Sequence, residues 1–191
     1  MSKKRRIIVH IATSADGYIA RLDGNVDWLN RPHTAGDYGM AAFFRSIDTI
    51  VWGRRTYDQS LARGGPDPFG WNLKNYVFTH HPPEAPVPGV EFVNQPVRDF
   101  TRRLRARPGK DIFMMGGGGV IGSFLDAGQI DDFIIHVIPT FIGEGIPLIQ
   151  PRPRMVKLTL AASRRFSDGV VRLHYRVLPS RARAAGPQTV T

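Results

Sequence analysis

The stretch Met114-Met115-Gly116-Gly117-Gly118-Gly119-Val120-Ile121 constrains this chain more than any other. Residues 112–115 are apolar and read as a buried strand. Residues 120–125 read as an amphipathic helix, and four glycines join the two. Glycine loses more conformational freedom on folding than any other residue, so four in a row call for a compensating contact. Between a strand end and a helix start, glycines let backbone N–H groups approach a phosphate, and the helix N-terminus adds partial positive charge. A plain turn before a helix is the alternative. The run is not GxGxxG and by itself names no cofactor.

Strand and helix patterns alternate around this junction. Residues 7–13 read as a strand and 14–27 as a loop rich in Asp and Gly. Residues 35–47 read as a helix with Met40, Phe43, Phe44 and Ile47 on one face. Residues 49–52 form a short buried strand, followed by Gly53, a helical turn over 54–61 and a loop over 64–70. Strands follow at 76–79 and 90–93, a helix at 97–105, and a strand at 133–138 ended by Pro139. Residues 155–163 and 170–178 form a hairpin about Ser167-Asp168-Gly169, in which Leu158, Leu160, Val171, Leu173 and Tyr175 alternate with polar residues, as one face on the core requires. This order implies an α/β domain: a mixed, mostly parallel sheet flanked by helices, with a C-terminal antiparallel hairpin. At 191 residues the chain fits one domain, residues 1–178, and a disordered tail over 179–191.

Composition removes several function classes. There is no cysteine, which excludes disulfides, thiol catalysis and thiolate-held zinc or iron–sulfur centres. The basic start Lys3-Lys4-Arg5-Arg6 precedes an apolar run too short for a signal peptide, broken by His10. No stretch approaches the ~20 apolar residues of a membrane span. A cytoplasmic protein with no membrane partner and no metal is expected. The net charge of +10 includes a second cluster, Arg102, Arg103, Arg105, Arg107 and Lys110. It reads either as a solvated surface or as an attractor of polyanions. Aromatics do not interleave with the basic runs and no nucleic-acid motif is present, so a phosphorylated small molecule is preferred to nucleic acid.

Three further segments join the glycine turn in a fixed order: Ser14-Ala15-Asp16-Gly17-Tyr18-Ile19-Ala20, Gly53-Arg54-Arg55-Thr56-Tyr57, and Ile138-Pro139-Thr140-Phe141-Ile142-Gly143-Glu144-Gly145-Ile146-Pro147-Leu148. Together they resemble the dihydrofolate reductase-like superfamily over about residues 6–178. The branch they resemble is that of stand-alone relatives of the riboflavin-biosynthesis reductase domain, the C-terminal half of the bifunctional deaminase-reductase.

The resemblance implies NADPH as cofactor and hydride transfer to a small heterocyclic (pteridine- or pyrimidine-like) or carbonyl substrate. It implies that Gly53, Arg54, Arg55 and Thr56 meet the 2′-phosphate and pyrophosphate, with Thr79 nearby. Gly116, Gly117, Gly118 and Gly119 with the amides of Val120 and Ile121 hold the pyrophosphate. Thr13, Asp16, Gly17, Ile19 and Ala20 lie against the nicotinamide, with Ser14 and Trp28 towards the substrate. Each has a plainer reading: Arg54 and Arg55 as surface charges, Thr79 as a cap, Asp16-Gly17 as a turn pair, Trp28 as a core anchor. Counting back from Gly53 by the family's spacing places its buried carboxylate at Asp37, with His136 opposite, as a proton relay. Asp37 after Gly36 is also a natural helix cap, and a strand histidine is commonly a packed core residue. The riboflavin enzyme's Thr-x-Arg substrate segment has no match in 57–72, where Phe69 and Trp71 line a flat-ring pocket or cover the core. A nucleotide-sensing module is the rival function, with a basic nucleic-acid-binding domain behind it. A homodimer through the late strands and the 142–149 loop is expected from their exposed apolar residues.

Overall fold

Successive buried side chains of the first strand enter two different clusters, which sets the layers. In a computed structural model describing residues 4–31, 36–62, 64, 72–85 and 87–179, Ile7 and Val9 point into one apolar cluster and Ile8 into another. The elements in chain order are β1 (Ile7–Ser14), β2 (Tyr18–Ala20), a 3-10 turn (Asp27–Leu29), α1 (Met40–Ser46), β3 (Ile47–Gly53), α2 (Arg54–Leu61), β4 (Lys74–Phe78) and β5 (Val90–Val93). They continue with α3 (Val97–Arg105), β6 (Asp111–Gly116), α4 (Gly118–Asp126), β7 (Asp132–Ile138), β8 (Ile146–Pro147), β9 (Leu158–Arg165) and β10 (Val171–Val177).

Eight strands form one sheet in the order β5-β4-β3-β6-β1-β7-β10-β9. The six from β5 to β7 are parallel, and β10 and β9 add antiparallel at the end. Helices cover both faces of the parallel part, so its strands are apolar on both sides. Phe100 of α3 and Ile121 and Phe124 of α4 pack on Ile7, Val9, Val51, Ile112 and Met114. Phe43 and Phe44 of α1 and Tyr57 of α2 pack on Ile8, Ile50, Trp52 and Phe113. All six parallel strands end on the same side, which gathers Ser14, Gly53, Phe78, Val93, Gly116 and Ile138 along one rim.

Several elements depart from the sequence expectations. The helix expected over 35–47 is confined to Met40–Ser46. Gly36, Tyr38 and Gly39 all hold positive φ, so the chain turns left-handed before it can wind, and Ile47 is already extended. The loop expected over 14–27 contains β2, which pairs with β8 in a small second sheet. Leu158 and Leu160 were expected to face the core, yet β9 is exposed along its whole length. No described helix lies over that edge. The 142–149 loop folds back onto its own chain: Leu148 donates to Gly17 O at 3.2 Å, and Leu148 and Ile149 pack on the main core. Residues 180–191 of the expected tail, the 65–70 stretch, Phe69 and Trp71 lie outside the described residues.

The basic start is structural. Arg5 is buried and donates to Thr49, Leu104 O and Lys110 O, and it is paired with Asp48. Lys4 pairs with Asp131 and Arg6 with Asp111. In the second cluster Arg102, Arg103 and Arg105 pair with Asp99, Glu91 and Asp131. Carboxylates thus engage much of the basic surface. No described helix is long and apolar enough to cross a membrane, and no described cluster of His, Asp or Glu could hold a metal.

Candidate functional site

Two strand-to-helix junctions meet on the rim. Gly53 ends β3 and precedes α2; Gly116 ends β6 with φ +114, and Gly117 precedes α4. A Cβ on Gly53 would stand 3.4 Å from Gly116 O and Gly117 N, which shows how close the two junctions lie. The Gly116–Gly117 peptide is cis. A Cβ on Gly117 would stand 3.1 Å from Thr56 Oγ1, which places the Thr56 hydroxyl and the Gly117 backbone on either side of a cradle. Both helices begin at this cradle, and their first amides have no carbonyl partner within the helix. That is the donor set an anion requires.

The four glycines do not share one task. Gly118 is buried, and a Cβ there would come within 2.5 Å of Pro147 O. Its role is close packing against the β8 segment, whose Gln150 donates to Gly118 O. Gly119 is exposed. Val120 lies against Gly53, and Ile121 is in the core.

Arg54 opens α2 beside the cradle. Its guanidinium bonds Asp58 at 2.9 Å, donates to His81 O at 3.2 Å and lies over the Phe92 ring. Thr79 Oγ1 accepts from His81 N–H at 3.1 Å, so Arg54 and the 79–81 turn form one corner. Arg55 is exposed.

The loop after β1 closes the other side. Gly17 donates to Ser14 O with φ +89, a turn suited to glycine. Ser14 is buried and its hydroxyl accepts from Tyr18 N–H at 3.0 Å, which holds this turn. Asp16 accepts from the amides of Ile142 and Gly143, stapling the loop to the segment after β7. The Ser14 hydroxyl first, then those amides, hold its carboxyl below the usual range. Ile19 reaches to within 3.9 Å of a Cβ on Gly117. Thr13 and Ala20 are buried behind it. Trp28 is buried with Ile138, Phe166 and Val170, a core anchor at the rim.

Asp37 is neither buried nor the partner of His136. It is exposed and accepts from Gly39 N–H at 2.9 Å and Ala41 N–H at 3.0 Å, which settles the start of α1 and holds its carboxyl below the usual range. Tyr38 takes the place beside His136 instead, with ring centroids 6.0 Å apart.

His10 was passed over in the sequence as a break in an apolar run. It stacks on His136 at 5.0 Å, with Phe43 edge-on at 4.3 Å. Burial pushes His10 down to about 3, and His136, Arg172 and His174 act in the same direction. Burial pushes His136 down to about 4, with Arg172 adding and a backbone hydrogen bond to Tyr38 opposing. Both are neutral near pH 7. The available signal was register: in adjacent strands, Ala12 pairs with His136, and His10 lies two residues back on the same face.

Comparison with known proteins bears on the family and the fold. Residues 5–172 match the RibD C-terminal domain. The uncharacterized protein YwjB of Bacillus subtilis is 37% identical over 172 residues, covering 90% of this chain and 98% of its own length. Among solved structures, a putative riboflavin biosynthesis protein from Shewanella sp. PV-4 superposes with a TM-score of 0.81 at 28% identity, covering 91% of this chain and 99% of that one. Dihydrofolate reductase from Enterococcus faecalis, solved with NADP(H), superposes with a TM-score of 0.65 at 16% identity over 93% of this chain and 99% of its own, which establishes the shared fold.

Proposed function

The chain belongs to the RibD C-terminal domain family, and on that premise we propose that it is an NADPH-dependent reductase of a small heterocyclic (pteridine- or pyrimidine-like) or carbonyl substrate. The observation that carries this reading is the cradle between Gly117 and Thr56, with two helix N-termini and Arg54 around it. NADPH brings three phosphoryl groups and a hydride donor; when bound it supplies the hydride. The Gly117 backbone, the Thr56 hydroxyl and the first amides of α2 and α4 would hold the pyrophosphate. Arg54, with Thr79 beside it, would meet the 2′-phosphate. Ile19 and the 14–20 turn would fix the nicotinamide end. The residues present fit the group, because a Cβ on Gly117 would fill the space the phosphates need.

The test is cofactor titration. NADPH should bind more tightly than NADH. Arg54→Ala should weaken NADPH about tenfold and leave NADH nearly unchanged. This is the low end for a charge-assisted contact, because Arg54 is half-exposed and already shared with Asp58. Equal loss for both cofactors refutes the assignment. The exposed position of Asp37 favours one rival, a module that binds NADPH without turnover. Binding without substrate-dependent NADPH oxidation across pteridine, pyrimidine and ketone candidates would select it.

For assembly we propose a homodimer through β9. Both faces of this edge strand are exposed, Leu158 and Leu160 at 42% and 52%, and an unpaired edge is a ready template for a second strand. The 142–149 loop, engaged with β2 and the core, is no longer needed in that interface.

A further inference from the structure

A cleft of about 380 Å³ opens at the end of the sheet opposite the glycine rim, where β1 and β6 begin. Its lining holds five cations, Lys4, Arg5, Arg6, Arg45 and Lys110, against one acid, Asp111, and no aromatic or aliphatic side chain. The cations have different tasks. Arg5 is the floor: it is buried and engaged with Asp48, Thr49, Leu104 O and Lys110 O. Gly109 lets the chain cross it, since a Cβ there would come within 2.9 Å of Arg5 Cζ and 2.5 Å of Asp48 Oδ2. Arg6 is held by Asp111 and Asp132, and Lys4 by Asp131 at 2.8 Å. Arg45 and Lys110 remain. Lys110 Nζ donates to a neutral group, Arg45 O, at 2.9 Å. Arg45 is exposed, and Asp37 feels its charge without bonding it. Among the described residues no carboxylate bonds the Arg45 guanidinium or the Lys110 ammonium.

The end of α1 accounts for part of this arrangement. Free carbonyls at a helix C-terminus attract cations, and Lys110 takes one of them. A helix end carries only about half a negative charge, a fraction of what two full cations need. The carboxylates close by are already engaged: Asp48 by Arg5 and the Lys110 N–H, Asp111 by Arg6, Asp131 by Lys4 and Arg105. Arg45 therefore keeps all its donors, and the Lys4 and Lys110 ammonium groups keep donors to spare. A phosphate anion matches this set, being compact, multiply charged and rich in acceptors. A carbon skeleton would find no apolar wall to lie on, so recognition stops at the charged groups. We propose that this cleft binds a compact phosphate anion of the pyrophosphate kind, clamped by Arg45 and Lys110 with Lys4 as a third cation, at a site separate from the cofactor cradle. Bound there, the anion ties the chain before β1 to the end of α1 and the start of β6. Binding to the folded chain alone stabilises it by mass action. The proposal does not depend on the reductase reading.

The test is a calorimetric titration of the full chain with sodium pyrophosphate, at low salt and without magnesium, beside thermal melts. Pyrophosphate should bind and raise the melting temperature, and sodium chloride at the same ionic strength should not. Arg45→Gln should weaken binding about tenfold, the low end for a charge-assisted contact because Arg45 is exposed. Adding Lys110→Gln should abolish it. Gly117→Ala, which alters the cradle, should keep it. Lys110→Gln also removes the bond to the end of α1, so Arg45→Gln alone decides the matter if the double variant does not fold. No binding, equal affinity in Arg45→Gln, or loss of all binding in Gly117→Ala overturns the proposal; the last result would put the pyrophosphate in the cradle. A single-stranded oligonucleotide that binds more tightly than pyrophosphate and is lost with the same two side chains would overturn it in favour of a longer polyanion.

Discussion

Adding one methyl group at each of two adjacent glycines should separate the cofactor cradle from the packing behind it. Gly117 has φ −82 and ψ −164, extended backbone open to any residue. An alanine Cβ there meets Thr56 Oγ1 at 3.1 Å and Ile19 Cδ1 at 3.9 Å, so the Thr56 side chain must yield by a few tenths of an ångström. Replacing glycine at a compatible position also stiffens the unfolded chain, a gain of about 0.4–1 kcal/mol that offsets the crowding. The melting temperature of Gly117→Ala should therefore stay close to wild type. The methyl group occupies the approach a phosphate would use. Losing one charge-assisted amide contact is worth about 1.5–3 kcal/mol, so NADPH affinity should fall about 10- to 100-fold. Gly118→Ala should do the reverse. Its Cβ meets Pro147 O at 2.5 Å and Leu148 O at 3.4 Å, backbone atoms that cannot swing aside. Overpacking of that kind costs about 1–3 kcal/mol, and in a chain of this size each kcal/mol moves the melting temperature about 2–4 °C. A thermal melt and a calorimetric NADPH titration on both variants measure the contrast. Normal NADPH binding by Gly117→Ala would refute the cradle, and an unchanged melting temperature for Gly118→Ala would refute the packing.

The buried histidines make stability depend on acid. Their folded values, about 3 and about 4, lie below the unfolded value near 6.5, so between these the unfolded chain binds more protons. Stability is full above about pH 6.5 and is lost as pH falls; urea unfolding at pH 7.5 and 5.5 should differ by roughly 2–3 kcal/mol from this pair. His136→Gln should remove about half of that difference, and an unchanged slope in the variant would count against the burial argument. Asp37→Asn, which keeps the oxygen that caps α1, should leave both the melting temperature and any turnover intact, whereas Asp37→Ala should lower only the melting temperature; lost turnover in Asp37→Asn would restore the carboxylate as a proton carrier. Light scattering should give a dimer mass for the wild type and a monomer mass for Leu160→Arg, and a wild-type monomer at micromolar concentration would remove β9 as the interface.

What the sequence made legible follows from how far each signal reaches along the chain. The parallel core could be read because β1, β3 and β6 are buried on both faces, so Ile7-Ile8-Val9, Ile50-Val51-Trp52 and Ile112-Phe113-Met114 each leave a local apolar run. The strand–glycine–helix junctions were legible for the same reason: everything that makes Gly117 a cradle lies within a few residues of it, except its partner Thr56. The separate task of Gly118 was not legible, because its neighbour Pro147 is set by a fold-back nearly thirty positions on. Helix α1 was overextended because apolar spacing marks a face and says nothing about the left-handed turn at Gly36, Tyr38 and Gly39. That turn also removed Asp37 from the site. It carries the carboxylate outward and swings Tyr38 inward onto His136, a one-residue exchange that a count from Gly53 cannot detect. β9 was assigned a core face because Leu158 and Leu160 alternate with polar neighbours. Alternation states that one face is apolar, but whether a helix or a second copy covers it depends on the sheet order, which places β9 at the edge. His10, His136 and the Trp28–Arg31 stretch come from three separate parts of the chain and meet around Phe166 and Asp168. Contacts of this range leave no local pattern, which is why the cradle at Gly117 could be read from the sequence and the stacking of His10 on His136 could not.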